Sequence, residues 1–451
     1  MDPDPSYKSS NKEDPDPEAA LRLVERRKGW ALVLTSIGIT LEWYDFFVYG
    51  TIAALVFPQY FFPPGAGVIA TLVSLISYWV GFVARAVGAM VIGSIADRSG
   101  RKLALFIDLV IMGIATLGIA LTPGYESIGY WGIAIVSIFR FVQGLALGGE
   151  WGAASAFITE FFHRSRYRSF WGSWIQIGVP IGLLIGTWLT AYLISIYGEQ
   201  AFAREGWRIP FYIGAAVAVI AGIIRYAVLE SPLFREILRR GEVSKAPVRE
   251  VFRGYWNLMV RLMLGKAGQN ALFYVYAVYS LIYLTGIGIP KAFAALIVTI
   301  AALLEVIAEP IGGLLGDLIG RRKTILIANI AIAAYAIPFP LLLIALRHDI
   351  LLASLALGVY GVLHGIAFAP QTAYFSELFP TRVRSTAIGT AFQLTTVFAG
   401  GLSPILITLI VGNAYIENWW GVSAITAGYA LISIAALATL LPETLGKPLP
   451  R

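Results

Sequence analysis

Long runs of apolar residues, separated by short polar segments, dominate the pattern along the chain. A run of about 18 or more apolar residues with few charges is typical of a helix that crosses a bilayer. The pattern therefore predicts an all-α integral membrane protein with twelve transmembrane helices. The predicted spans are 30–57, 67–96, 103–122, 130–161, 169–196, 209–228, 257–286, 290–316, 324–346, 350–375, 385–411 and 421–441.

Polar segments divide these spans into two sets of six. We expect a disordered N-terminal tail over 1–28, because its first part is acidic and proline-containing. That tail has no apolar core after a basic start, so we expect no cleavable signal peptide. A six-helix bundle is predicted over 29–228, an amphipathic linker over 229–256, a second six-helix bundle over 257–441 and a short tail over 442–451.

Composition agrees with a membrane protein. Of 451 residues, 58% are hydrophobic and 14% are charged, whereas soluble domains carry about 25% charged residues. The chain has no cysteine and three histidines, which excludes thiolate metal sites and disulfides and leaves little for a metal cluster. No cofactor is expected.

The loops carry an asymmetric charge. Loops after even-numbered spans contain eleven lysines and arginines, and loops after odd-numbered spans contain four. Because the excess of lysine and arginine marks cytoplasmic loops, we expect both termini in the cytoplasm and the protein in the plasma membrane. The net charge of +7 is then largely topological, and a nucleic-acid partner is not expected.

Two loop motifs recur in the two halves. GSIADRSGRK at 93–102 returns as GLLGDLIGRRK at 313–323, with the aspartates Asp97 and Asp317 offset by 220. A second pair follows the fourth and tenth spans, at 160–166 and 377–384. Duplicated halves of this kind are typical of transporters that bind substrate between two bundles near the membrane midplane.

These motifs resemble those of a known family. The loop at 93–102 and its copy are similar to the signature loop of the major facilitator superfamily. EWYDFFVYG at 42–50 and RFVQGLALGGEW at 140–151 resemble its metabolite:proton symporter branch, which includes permeases for citrate, 2-oxoglutarate, shikimate, proline and betaine. The chain departs from that branch at Ala86, where a proline is usual, and its ending PETLGK at 442–447 is closer to sugar porters. The resemblance implies two pseudo-symmetric six-helix bundles, a small-molecule substrate and protons, and we expect a functional monomer.

Charged residues inside the spans are the first functional candidates, since each costs several kcal/mol in a bilayer. With a rise of 1.5 Å per residue, Asp45 and Arg140 fall at similar depth. We predict that they pair in one conformation and separate in another, which would let Asp45 carry a proton. The alternative is a static ion pair. Glu42, one turn before Asp45, either shares the proton or pairs with a neighbour.

Two further cations fall near the same depth, one in each half. Arg85 and Lys266 would suit a carboxylate substrate, or they neutralise buried acids such as Glu42 or Glu305. Asn270 and Tyr274 share a helix face with Lys266. Further polar candidates for the substrate cavity are Gln143, Gln176, His364 and Gln393, although a lone histidine is more often a packing residue.

The family resemblance also implies a gate. It assigns Asp97, Arg101, Asp317 and Arg321 to contacts that hold the halves together at the cytoplasmic side. The alternative is that the basic residues only anchor topology. Glu150, beside a Gly-Gly step that suits close helix packing, is assigned a structural or gating role. Glu160 and Glu377 complete the gating candidates.

The sequence thus predicts a secondary transporter that couples a small organic anion to protons by alternating access. The alternative within the same class is a sugar or zwitterion porter, with or without proton coupling. An alternative of another class is a membrane sensor without transport. The sequence contains no P-loop, nucleotide fingerprint or HExxH motif, so we do not expect an enzyme.

Overall fold

A computed structural model describes the backbone of residues 17–99, 101–148, 150–227, 247–381 and 383–450, and their side chains except at 17–35, 91–109, 150, 153, 157, 220–227 and 247. Most of the predicted linker and the start of the N-terminal tail therefore lie outside the described residues.

The described residues form an all-helical bundle, which confirms the predicted fold class. We label its twelve long helices α1 to α12, several of which continue across a short break or a π-helical turn. They are α1 (Pro17–Leu55), α2 (Gly67–Ser99), α3 (Arg101–Leu121), α4 (Trp131–Ala146 and Glu150–Phe161), α5 (Arg168–Gln176 and Gly178–Arg204), α6 (Ile209–Ala227), α7 (Trp256–Tyr274, Val275–Tyr279 and Ser280–Gly286), α8 (Lys291–Ile319), α9 (Arg321–Ala336 and Phe339–Ala345), α10 (Ile350–Phe368 and Gln371–Ser376), α11 (Arg384–Thr395, Thr396–Gly401 and Leu402–Val411) and α12 (Trp420–Thr439).

Length and composition alone mark six stretches of the described chain as able to cross a membrane. They lie in α2, α5, α8, α10, α11 and α12, and a seventh arises if the two parts of α9, bent by 48°, are one span. The remaining long helices carry more polar residues or are described only in part. These remaining helices lie in the bundle beside the six or seven candidate spans, and together they make up the twelve long helices.

The helix boundaries differ from the predicted spans by more than three residues in two places. Helix α1 already begins at Pro17, inside the segment predicted to be a disordered tail, because Glu18 to Leu23 are good helix formers. Helix α5 runs on to Arg204, past the predicted end at 196. In the linker, Pro247–Gly254 is helical, as expected for an amphipathic segment.

The two sets of six helices meet along pairs that the internal repeat relates to each other. Helix α5 packs on α8, and α2 packs on α11. Two π-helical turns, Val275–Tyr279 in α7 and Thr396–Gly401 in α11, lie beside the contact between the halves. Such turns often mark functional positions in helices.

The two ends of the bundle differ in charge. We call the end that carries Arg166, Arg168, Arg321 and Arg384 the basic face. The opposite face carries Tyr60, Arg204, Lys291 and Gly412. The candidate site lies between these faces, and the gate candidates lie at the basic face.

Candidate functional site

Asp45 lies at the centre of the N-terminal half and is 1% exposed. One carboxylate oxygen accepts a hydrogen bond from Thr116 Oγ1 at 3.1 Å, and the other accepts from Gln143 Nε2. Gln143 Oε1 in turn accepts from Arg140 Nη1 at 2.5 Å. The direct contact expected between Asp45 and Arg140 is therefore not made in this conformation, because Gln143 lies between them.

Aromatic rings surround Arg140. Its Cζ lies 4.2 Å from the ring centre of Phe46, 4.3 Å from that of Tyr49 and 5.0 Å from that of Tyr78. A guanidinium over an aromatic face gains about 2 kcal/mol when both are removed from water. Gly81 makes room for the arginine, since a Cβ there would lie 2.7 Å from Arg140 Nε.

Arg85 shares one of these rings. Its Cζ lies 4.9 Å from the centre of the Phe46 ring and 4.8 Å from that of Trp43. Several donors of this cluster are buried and make no hydrogen bond to any described residue, namely Arg85 Nε, Arg140 Nε and Nη2, and the Tyr78 hydroxyl. Buried donors of this kind cost free energy unless a partner meets them.

Lys266 is a buried cation of the C-terminal half. Its ammonium donates to Gln269 Oε1 and to Gln371 Oε1, both at 3.0 Å. It also lies 4.2 Å from the ring centre of Phe392 and 5.9 Å from that of Trp151. Trp151 belongs to α4, so Lys266 lies at the contact between the two halves.

The remaining substrate candidates lie along that contact. Gln176 accepts from Trp151 Nε1 at 2.9 Å and donates to the Phe368 carbonyl at 3.3 Å, and Gln393 donates to the Gly148 carbonyl at 3.2 Å. Both glutamines therefore join the halves. Asn270 and Tyr274 face α11, where a Cβ at Gly400 would meet both. His364 packs on Phe273, with 4.4 Å between the ring centres.

The gate candidates Asp317, Arg321 and Glu377 come together at the basic face. Asp317 accepts from the backbone N–H groups of Ser169 and Phe170 at 3.0 and 2.8 Å. These are in the first turn of α5, where the helix dipole favours an acid. Arg321 lies 3.0 Å from Asp317 and 3.3 Å from Glu377.

Two ion pairs cross the basic face in a reciprocal arrangement. Glu377 of the C-terminal half meets Arg168 at 2.9 Å, and Glu160 of the N-terminal half meets Arg384 at 2.5 Å. Each acid ends the fourth helix of its half, and each arginine begins the fifth helix of the other half. The repeated loop motifs thus bind each other across the pseudo-twofold axis.

The Glu377 carboxyl is almost fully buried. This burial raises its pKa above the ordinary value, and the nearby guanidinium groups of Arg321 and Arg168 lower it by less. The closed basic face therefore holds a carboxyl that binds a proton more readily than it would in water.

The opposite face is also closed. Lys291 donates its backbone N–H to Glu199 and its ammonium to Gln59, both at 3.0 Å. Deeper in, Trp79 Nε1 donates to the Val397 carbonyl at 2.9 Å. Because the halves touch at both ends, the conformation is occluded.

Some predicted positions lie outside the side chains that the structure describes, namely Asp97, Arg101 and Glu150. Their predicted gating roles stay predictions. Glu42 is half-buried on α1, one turn before Asp45, and its predicted part in proton coupling also stays a prediction.

Sequence reasoning missed several members of these clusters. Thr116 and Gln269 are ordinary polar residues in apolar runs, and only contacts reveal them. Arg168 and Arg384 are among the eleven basic residues of the loops after even-numbered spans, whose excess indicates only the orientation. Glu309 is a charge inside a span, and that signal alone would have made it a candidate.

The chain is similar in sequence to several known proteins. The sequence profile described as the Major Facilitator Superfamily matches residues 35–404 and 269–450. The inner membrane metabolite transport protein YhjE of Escherichia coli is 33% identical, over 91% of this chain and 92% of its own. The proline/betaine transporter of the same bacterium is 28% identical over 93% of this chain and 84% of its own. Its shikimate transporter is 28% identical over 95% and 97%.

A solved structure has the same fold. The crystal structure of a D-xylose–proton symporter superposes with a TM-score of 0.70, at 18% identity, over 93% of this chain and 99% of its own. At this identity the likeness concerns the arrangement of the helices.

Proposed function

The chain belongs to the major facilitator superfamily, and from that premise we propose that it couples protons to the movement of a small carboxylate-bearing solute. Family membership confirms that the protein is a multi-pass membrane transporter rather than an enzyme. We propose protons as the coupling ion, a carboxylate-bearing solute as the substrate and a cytoplasmic position for the basic face.

The observation that carries the substrate class is the set of buried donors around Phe46. Arg85 and Arg140 present guanidinium N–H groups without hydrogen-bond partners among the described residues. A carboxylate accepts from guanidinium groups through two oxygens and so satisfies several donors at once. Lys266 adds a third cation at the contact between the halves. A small organic anion therefore fits the charge of the centre.

Asp45 is the group that would carry the proton. In the occluded conformation Gln143 and Thr116 hold its carboxylate, and Arg140 reaches it only through Gln143. A shift of α4 relative to α1 would change how many donors face Asp45. The carboxylate would bind a proton when those donors move away and release it when they return.

The two faces supply the alternation. The basic face is closed by the reciprocal ion pairs, and the opposite face is closed by the contacts of Lys291 and Trp79. Opening one face while the other stays closed would expose the centre to one side at a time. With the basic face in the cytoplasm, both termini are cytoplasmic. A relative named as an inner membrane protein supports the plasma membrane as the location.

A second candidate is a zwitterion such as betaine or proline. Its carboxylate would use the same arginines. Its cationic end would compete with these arginines for the rings of Trp43, Tyr49 and Tyr78, which suit a quaternary ammonium group and already lie against the guanidinium groups. A relative named as a proline/betaine transporter supports this candidate, and a relative named as a shikimate transporter supports the anion.

Uptake into proteoliposomes tests the proposal. Purified protein is reconstituted, a pH gradient is imposed, and labelled hydroxy acids, dicarboxylates, shikimate, proline, betaine and sugars are offered in turn. We expect accumulation of a carboxylate-bearing solute that stops when an ionophore collapses the gradient. Accumulation of sugars alone would contradict the proposed substrate class, and accumulation unaffected by the ionophore would contradict proton coupling.

A further inference from the structure

A chain of polar side chains runs through the C-terminal half from the contact between the halves into the interior. Lys266 donates to Gln269 Oε1, Gln269 Nε2 meets His364 Nε2, and His364 Nδ1 meets Glu305 Oε1 at 2.5 Å. Every member is at most 1% exposed. The chain joins α7, α10 and α8, and it is separate from the Asp45 cluster.

Lys266 determines which atoms donate and which accept along this hydrogen-bond chain. An ammonium only donates, so the oxygen of the Gln269 amide must face Lys266 and its nitrogen must face His364. The amide nitrogen also only donates, so His364 Nε2 must accept and carries no proton. His364 is therefore the neutral tautomer with its proton on Nδ1, and it donates to Glu305.

A neutral His364 leaves the acids of α8 without an adjacent counter-charge. Glu305 is 0% exposed, and its second oxygen makes no hydrogen bond to a described residue. Glu309 lies one turn further along the same face of α8, is also 0% exposed, and has no such bond at either oxygen. Lys266 is separated from both acids by Gln269 and His364.

The neighbouring helices supply little more charge. His364 of α10 contacts Glu305 directly, and Lys266 of α7 reaches His364 only through Gln269. The ring centre of Tyr276 of α7 lies 6.1 Å from that of His364. From α5, Thr187 meets Thr299 of α8 at 2.8 Å and brings no charge. Two carboxylates one turn apart in such a site cannot both be ionised.

We propose that Glu305 and Glu309 form a second proton-binding site, which holds one proton between them in the occluded conformation. Lys266 orients this site through Gln269 and His364. The proton lies on a carboxyl oxygen, and its release leaves the carboxylate and gives the proton to water. The site is a property of the C-terminal half and does not depend on Asp45.

The site is linked to the alternation, and this link rests on the proposed function. Lys266 lies over the ring of Phe392, and Trp151 of the other half stacks on that ring with 4.0 Å between the centres. Opening of the basic face withdraws Trp151 and lets water reach Lys266. The hydrogen-bond chain that orients the acids then loses its fixed end, and the proton is released.

Infrared spectroscopy of the purified protein near neutral pH tests the site without any transport assay. We expect a C=O band of a protonated carboxylic acid that shifts in heavy water. The band changes in Glu305→Gln and in Glu309→Gln, and the double variant loses a component of it that Asp45→Asn, the matched control, and Glu377→Gln both retain. If the double variant does not fold, the two single variants carry the assignment.

Three other results of these experiments would contradict parts of the proposal. A wild-type protein without this band, or a band that both single variants leave unchanged, overturns the second site. A band that only Asp45→Asn removes places the stored proton in the N-terminal half instead. Failure of pH-driven uptake would contradict the proposed function and the release step, yet it would leave the infrared assignment of the Glu305–Glu309 proton intact.

Discussion

At the scale of single residues, the centre of the protein is organised by cations that aromatic rings hold away from water. Arg140 and Arg85 share the ring of Phe46, and each keeps unsatisfied N–H groups. The rings allow a buried arginine to exist without an acid partner of its own. The unsatisfied N–H groups of both arginines are then available to a bound anion.

Replacement of Arg85 tests this reading. A hydrogen bond to a charged group is worth about 1.5–3 kcal/mol, so Arg85→Gln should weaken the binding of the transported anion about ten- to a hundredfold. Binding affinities are measured on detergent-purified protein. Arg85→Lys, which keeps the charge and loses the planar fork, should fall in between. Unchanged affinity in Arg85→Gln would remove Arg85 from the substrate site.

At the scale of the helices, close approach of α4 and α11 seals the basic face. A Cβ at Gly152 would lie 2.4 Å from the Ser385 carbonyl of α11, so only glycine permits this contact. The neighbouring pairs Glu160–Arg384 and Glu377–Arg168 close the same end. The contact and the ion pairs must all part when this face opens.

A bulky residue at Gly152 should hold the face open. We expect Gly152→Trp to lengthen the distance across the basic face and to abolish transport while leaving the protein folded. Because the chain has no cysteine, spin labels can be placed at Arg166→Cys and Thr381→Cys, both exposed, and the distance between them measured by pulsed electron resonance. Gly428→Trp is the control, since nothing lies within 4 Å of that glycine. An unchanged distance in Gly152→Trp would show that α4 and α11 do not form the gate.

The same labels test the pH dependence of the gate. Burial raises the pKa of Glu377 in the closed face, and hydration on opening returns it to the ordinary value of a glutamate. The closed form therefore binds the proton more tightly than the open form does. Protonation stabilises the closed form relative to the open form, fully at pH values below the ordinary pKa of a glutamate. This stabilisation is lost as the pH rises through the raised pKa. Acid should favour the short distance.

Glu377→Gln should remove this pH dependence. Glu160→Gln, which breaks the reciprocal ion pair and retains the Glu377 carboxyl, should preserve it. A distance that shortens on acidification to the same extent in Glu377→Gln would assign the effect to another group.

At the scale of the whole molecule, the repeat places charges of opposite sign at equivalent positions. Arg85 and Glu305 are 220 residues apart, the offset of Asp97 and Asp317, and Asp45 and Lys266 are 221 apart. The N-terminal half thus has an acid on its first helix and a cation on its second, and the C-terminal half has the reverse. This inversion explains why the arginines that would bind the anion, Arg85 and Arg140, lie in one half and the second proton site lies in the other.

The sequence predicts those features of the fold and the site that depend on residue type and spacing, and it does not predict those that depend on side-chain conformation. The twelve helices follow from apolar runs, since lipid tolerates only helices with satisfied backbones in such segments. The residues Asp45, Arg140, Arg85 and Lys266 are found because a charge in a span is costly. Gln143 between Asp45 and Arg140, and Gln269 between Lys266 and His364, depend on side-chain rotamers and helix rotation, which no spacing along the chain encodes.

In the proposed function, Asp45 couples protons to substrate movement. Asp45→Asn keeps the shape of the side chain and removes its titration. Its amide oxygen can still accept from Gln143, and the Thr116 hydroxyl, which can also accept, can meet the amide nitrogen on the other side. The variant is reconstituted beside the wild type, and two rates are measured with the same labelled substrate: accumulation driven by a pH gradient, and exchange without one. We predict that the variant loses accumulation and keeps exchange. Undiminished accumulation by the variant would contradict the claim, and loss of both activities in a folded variant would show that Asp45 serves only to pack the centre.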